Sequence, residues 1–118
     1  MTLEIRHEEI KPGIVLITLA GRLMLGPEGE QIENVVAQKL SEGARSFVFD
    51  LSGVTHIDST GIGRFISSFN KVRVVEGTLR LAGATGQVRD AFRVTRLDTV
   101  FKFFPDVESA CEGLVPGT

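Results

Sequence analysis

The run from Phe47 to Phe69 constrains this chain more than any other stretch. It opens on Phe47-Val48-Phe49, closed by Leu51. That is the short, aromatic and β-branched composition of a strand buried on both faces. Ser52-Gly53 predicts a polar turn after it. Beyond Asp58-Ser59-Thr60-Gly61, the residues Ile62, Phe65, Ile66 and Phe69 recur at i, i+3, i+4 and i+7, the stripe of an amphipathic helix. All four, with Phe47, Phe49 and Leu51, are expected to be buried. Asp58, Ser59 and Thr60 therefore stand where a strand-loop crossover enters a helix.

The flanking chain supplies the partners. Leu3, Ile5 and His7 alternate with Glu4, Arg6 and Glu8, which predicts an edge strand with one wet face. Pro12-Gly13 turns it into a second, nearly all-apolar strand, Ile14 to Ala20, so the two should pair as an antiparallel hairpin. Gly21 to Gly29 reads as a loop. Glu28, Glu30 and Glu33 suit the positive start of a helix with Ile32, Val35, Val36 and Leu40 on its apolar side and Gly43 at its stop. The strand Ser46 to Leu51 follows, then the second helix from about Ser59 to Val75, ended by Gly77.

A fourth strand spans Thr78 to Ala82, and a third helix runs from Gln87 to Arg96 with Val88, Ala91 and Phe92 inward. Val100 to Phe104 predicts a short last strand, and Asp106 caps a final helix carrying Val107, Ala110, Cys111 and Leu114. Val115 to Thr118 reads as a tail. Strands alternating with helices imply right-handed crossovers and parallel neighbours. The expected fold is α/β: one domain over residues 1–118, a small mixed β-sheet with an N-terminal hairpin and βαβ crossovers, and helices packed on the sheet.

Composition narrows the function. The 118 residues carry 42% hydrophobic and 24% charged side chains with a net charge of −2, ordinary for one globular domain and not the basic footprint of a nucleic-acid binder. Cys111 is the sole cysteine, which predicts a reduced, cytoplasmic setting without internal disulfides. No apolar run approaches the ~20 residues of a membrane span, so no membrane partner is expected. Two separated histidines and one cysteine offer no zinc spacing, and neither a phosphate loop nor a full dinucleotide fingerprint occurs, so no metal or cofactor is expected.

At the junction, Asp58, Ser59 and Thr60 are each good helix caps, and residue type alone leaves open which one serves. Gly61 and Gly63 fall in the first helical turn, where each costs roughly 1 kcal/mol relative to Ala. Their presence suggests close approach of something to the backbone. For Gly61 this predicts that an Ala substitution weakens binding while leaving the melting temperature nearly unchanged. A hydroxyl beside unpaired helix N–H groups is also a place where a phosphoryl group is tolerated.

Asp58-Ser59-Thr60-Gly61-Ile62-Gly63, with the strand and connection before it, resembles the signature of STAS domains, and more narrowly of the bacterial anti-sigma factor antagonists. The resemblance covers almost the whole chain, including Leu19-Ala20-Gly21-Arg22-Leu23 and Leu79-Arg80-Leu81-Ala82-Gly83. It implies a non-enzymatic binding module whose Ser59 is phosphorylated by a partner serine kinase, itself the anti-sigma factor. The unphosphorylated form binds that factor and frees a sigma factor, and a phosphatase resets the switch. The implied contact surface comprises Thr55, His56, Asp58, Ser59, Thr60, Gly61, Gly63, Arg22 and Met24. One departure stands out: where the family often carries Gly-x-Leu-Asp, this chain has Gly21-Arg22-Leu23-Met24.

Other chemistries find less support. A hydrolase nucleophile elbow needs Gly two residues before the serine, and Ile57 stands there, with only His7 and His56 available as base. A response-regulator receiver with Asp50 as phosphoacceptor would not begin with a hairpin; Asp50 more simply accepts from loop amides. Arg89, Arg93 and Arg96, spaced along the third helix, predict a solvated face, with a partner-binding stripe as the alternative. Phe101, Phe103 and Phe104 predict core and sheet cover. The remaining functional alternatives are a STAS domain that binds a signalling partner without phosphorylation and a small serine hydrolase.

Overall fold

Five strands lie side by side in the order in which they occur along the chain. The computed structural model describes residues 3–24 and 29–116. Strand β1 (Leu3–Lys11) pairs antiparallel with β2 (Ile14–Leu23), and β3 (Ser46–Ile57), β4 (Thr78–Ala82) and β5 (Lys102–Phe104) follow in parallel. Helix α1 (Glu30–Ser41) connects β2 to β3, α2 (Ser59–Val74) connects β3 to β4, and α3 (Gly86–Val94) connects β4 to β5. Helix α4 (Val107–Cys111) ends the fold.

Right-handed crossovers that step across the sheet in one direction put α1, α2 and α3 on the same face. The core confirms it. Ile17 and Leu19 of β2, Phe47, Phe49 and Leu51 of β3, and Leu81 of β4 pack with Ile32 and Val36 of α1, Phe65 and Val72 of α2, and Val88 and Phe92 of α3. The intervening residues face the other way: Leu16, Val48, Ala82 and Phe104 meet Val107, Ala110 and Cys111 of α4. Phe47, Val48 and Phe49 are all fully buried, as expected of a strand covered on both faces. Phenylalanine rings bind the layers edge-on: Phe49–Phe65 at 5.2 Å, Phe65–Phe92 at 5.7 Å and Phe92–Phe101 at 5.6 Å. Each such pair contributes about 0.5–1.5 kcal/mol beyond its buried area.

Four expectations are corrected. First, β3 does not turn at Ser52-Gly53 but continues to Ile57, because β2 continues beside it: Ala20 pairs Gly53, Arg22 pairs His56 and Leu23 pairs Ile57. Two register shifts, at Thr18/Ala20 and Gly21/Arg22, absorb the polar pair. A β-bulge of this kind breaks the alternation by which a strand is recognised. Gly21 to Leu23 is therefore strand, and residues 25–28 of the expected loop, with Glu28, lie outside the described residues, as do residues 117–118 of the expected tail.

Second, the buried face of α2 is turned from the expected stripe. Ile66 is 38% exposed and Phe69 only partly buried, whereas Gly61 and Ser68 are buried beside Ile62, Phe65 and Val72. Small residues mark where the helix backbone comes closest to the sheet, and a count of apolar residues cannot see them. Third, α3 ends at Val94, and Arg96 is left-handed with φ 63°, so the three arginines form no stripe. Arg89 lies over the Phe103 ring at 3.9 Å and Arg93 pairs with Asp90 at 2.7 Å. Fourth, a 3-10 turn over Leu97–Thr99 delays β5 to Lys102. The stop of α2 behaves as expected, although the left-handed residue there is Glu76, with φ 61°, rather than Gly77.

Candidate functional site at the start of helix α2

Ligand and partner sites on open parallel sheets gather beyond the carboxyl ends of the strands. Here β2 and β3 end side by side at Leu23 and Ile57, and α2 begins at Ser59. Asp58 is the cap. Its backbone is extended (φ −114°, ψ −175°) and its carboxylate accepts the Gly61 N–H at 2.9 Å. Such a cap stabilises a helix by about 0.5–2 kcal/mol. Ser59 is then the first helical residue; it is exposed, and its hydroxyl is tied to nothing among the described residues. The amides of Ser59 and half-buried Thr60 precede the first intrahelical bond, from Ile62 N–H to the Asp58 carbonyl at 3.0 Å.

The two glycines that look alike in sequence do different things. Gly61 is buried against the end of β2, where Asp58 N–H also donates to the Leu23 carbonyl at 3.3 Å. A methyl group at position 61 would collide with that carbonyl oxygen and lie 2.9 Å from Ile57 Cγ1. Gly61 thus serves the seating of α2 on the sheet, and its expected role in close approach of a partner is corrected. Gly63 is exposed, and a methyl group there would meet nothing within 4 Å.

On the β2–β3 side the expected residues do gather. Arg22 and His56 are register partners, both exposed. The Thr55 hydroxyl donates to the Gly21 carbonyl at 3.3 Å, and His56 Nδ1 meets Thr55 Oγ1 at 3.0 Å. Arg22 Nη2 lies 3.7 Å from the sulfur of half-buried Met24. His56 is exposed and lies on β3. Asp50 accepts from the Ser52 amide and hydroxyl at 3.0 and 2.8 Å, the local role expected of it.

Two features escaped sequence reasoning. Gln87, in the first turn of α3, clamps the backbone of Ile57: it accepts the Ile57 N–H at 2.9 Å and donates to the Ile57 carbonyl at 3.0 Å. Strand β4 pairs with β3 only from Ser46 to Asp50, so the glutamine amide takes the place of a missing strand just before the cap. Nothing local in the sequence signals this, since it depends on β4 ending early. The second feature is a groove of about 310 Å³ between α2 and α3. Ser59 and Ile62 line one side, Ala91 and Val94 the other, and Ile57 and Gln87 also contribute.

The family model described as the STAS domain matches residues 7–110. The chain is a STAS domain. BtrV of Bordetella bronchiseptica (strain ATCC BAA-588 / NCTC 13252 / RB50), provisionally named an anti-sigma factor antagonist, is 26% identical over 98 residues, covering 83% of this chain and 84% of that protein. The anti-sigma factor antagonist SpoIIAA in its unphosphorylated form superposes with a TM-score of 0.80 at 22% identity, over 95% of this chain and 99% of that one. The Bacillus cell fate determinant SpoIIAA in its phosphorylated form gives 0.75 at 21% identity, over 92% and 97%. At these identities the structural likeness establishes the fold. STAS domains of this kind are generally binding modules rather than enzymes. In this STAS domain Asp58 caps α2 and Ser59 is its first residue, and no helix among the described residues is long and apolar enough to cross a membrane.

Proposed function

We propose that this STAS domain is a cytoplasmic anti-sigma factor antagonist switched by phosphorylation of Ser59. In the unphosphorylated state it binds an anti-sigma factor that is also its serine kinase, and so frees a sigma factor; a phosphatase restores that state. The observation that carries the proposal is the placement of Ser59: an exposed hydroxyl with no hydrogen bond among the described residues, on the first residue of α2 at the mouth of an apolar groove. A similar fold recorded in both unphosphorylated and phosphorylated forms supports it.

A phosphate on Ser59 adds a charge of about −1.5 to −2 at neutral pH. Within the domain its cost is small, because the first-turn amides and dipole of α2 face it. Against a partner, the free hydroxyl can be buried with a single hydrogen bond, whereas the phosphate must be desolvated or repelled, at a cost of several kcal/mol. Arg22, Met24, Thr55, His56 and Gly63 complete the contact surface. Ser59→Asp is expected to bind the anti-sigma factor at least tenfold more weakly, roughly 1.4 kcal/mol, with an unchanged thermal melt. Ser59→Ala should keep binding and resist phosphorylation. Calorimetric titration of the three proteins checks this. Equal affinities for wild type and Ser59→Asp would favour the second reading, a STAS domain that binds without phosphorylation, which Met24 in place of the family's frequent Asp also supports.

A further inference from the structure

A glutamine in the first turn of a helix can serve its own helix by reaching back to the cap. Gln87 does not. Thr85 caps α3 without a side-chain bond, and the Gln87 amide crosses to a strand that lies 30 residues earlier in the chain. There it accepts the Ile57 N–H at 2.9 Å and donates to the Ile57 carbonyl at 3.0 Å. Gln87 is exposed, but its base is held: the next residue, Val88, is only 1% exposed and packs in the core under α3.

One peptide group receives this hold. The carbonyl of Ile57 and the N–H of Asp58 belong to a single planar unit. Its oxygen accepts from Gln87 on the α3 side, and its N–H donates to the Leu23 carbonyl on the β2 side at 3.3 Å. A plane tied at both ends resists rotation. The backbone of Asp58 is set by it, and so is the carboxylate that caps α2 through the Gly61 N–H at 2.9 Å. Ser59 comes next in the chain, and its hydroxyl has no hydrogen bond among the described residues. Its position therefore depends on these neighbours. Strand β4 gives no support here, because its pairing with β3 stops at Asp50 and Ala82.

From this we infer that Gln87 is a positioning residue of the Ser59 site: it carries the placement of α3 to the head of α2 and fixes the serine that a kinase must reach. This role rests on the proposed phosphorylation of Ser59 and names a residue that acts on that site from a neighbouring helix. Phosphoryl transfer depends almost wholly on how the acceptor oxygen is placed, and a misplacement of about 1 Å can cost about a hundredfold in rate.

The test compares wild type with Gln87→Met, which keeps the length and loses both bonds, and Gln87→Asn, which keeps the amide and loses a methylene of reach. The first arm needs no kinase. Amide exchange at Ile57 and at Gly61, which Gln87 does not touch, should quicken about tenfold or more in both 15N-labelled variants. The order parameters of Ser59 and Thr60 should fall. Val48 and Val72 should keep their exchange rates within about twofold, which also shows that the variants are folded. Faster exchange at Ile57 with Gly61, Ser59 and Thr60 unchanged would make Gln87 a local tie and overturn the assignment. In the second arm the anti-sigma factor phosphorylates each protein. Here kcat should fall about tenfold or more while KM stays within about twofold, since Arg22, Met24, Thr55, His56 and Gly63 are untouched. An equal kcat, or a change in KM alone, would overturn the assignment as well. If wild type itself takes no phosphate, the switch fails, and the first arm still decides whether Gln87 fixes Ser59.

Discussion

Helix α2 has two unlike flanks. Toward α1 it is held by polar bonds: Glu33 accepts from Arg64 at 2.9 Å and from the Ser67 hydroxyl at 2.6 Å, and Gly29 packs so closely that an added methyl would lie 3.3 Å from Arg64 Nε. Toward α3 the same helix leaves a groove of about 310 Å³ edged by exposed Val94. Both flanks rest on the same buried rings, Phe49, Phe65 and Phe92. A closed, polar-bonded flank adds to stability, and an open apolar flank leaves surface that only another molecule can cover. The helix that presents Ser59 is thus fixed from one side and available from the other.

The widest test removes the common base. Phe65→Ala should cost about 3–5 kcal/mol in denaturant unfolding, because it opens a cavity under both flanks at once. A loss below 1 kcal/mol would mean that α2 is not seated as described. The two glycines separate fold from surface more finely. Gly61→Ala should lose about 1–3 kcal/mol through overpacking against Leu23, while Gly63→Ala should hold or gain up to about 1 kcal/mol, since Ala is the better helix former. Equal effects in thermal melts would erase the distinction.

The smallest effect belongs to the closed flank alone. The Ser67 hydroxyl, and after it Arg64, hold the Glu33 carboxyl below its ordinary pKa. A carboxylate depressed in the folded state contributes stability that is fully present above its unfolded pKa and is lost as pH falls through the folded one. Glu33→Gln should therefore flatten the loss of stability measured below about pH 4.5, near the ordinary glutamate value. An identical acid profile for wild type and variant would show that the clamp contributes nothing.

Local signals carried most of the fold. Alternation in Leu3 to Glu8, the apolar run Ile14 to Ala20 and the helical spacing of Ile32, Val35, Val36 and Leu40 each depend on neighbours in sequence, and each element is found, with β2 running on to Leu23. What failed depends on distant residues. The second half of β3 exists because β2 extends beside it, and Ile66 is exposed because the closest approach to the sheet falls at Gly61 and Ser68. At the site, residue types pointed to Asp58, Ser59 and Thr60 but could not assign the cap. Gly61 and Gly63 carry the same letter, and only the position of the Leu23 carbonyl tells them apart. Gln87 and Val94 become visible only when α3 is set beside α2.

The sheet order β1-β2-β3-β4-β5 bears on how the domain is made. Every strand after the first lies next to the one that left the ribosome just before it. None has to be inserted between two others or wait for a partner from the far end of the chain. Pairings between sequence neighbours carry a small loop-closure cost. The domain can therefore be laid down from N- to C-terminus during synthesis, each crossover helix closing over the strand already in place. Helix α4 comes last and covers the opposite face at Val48 and Ala82.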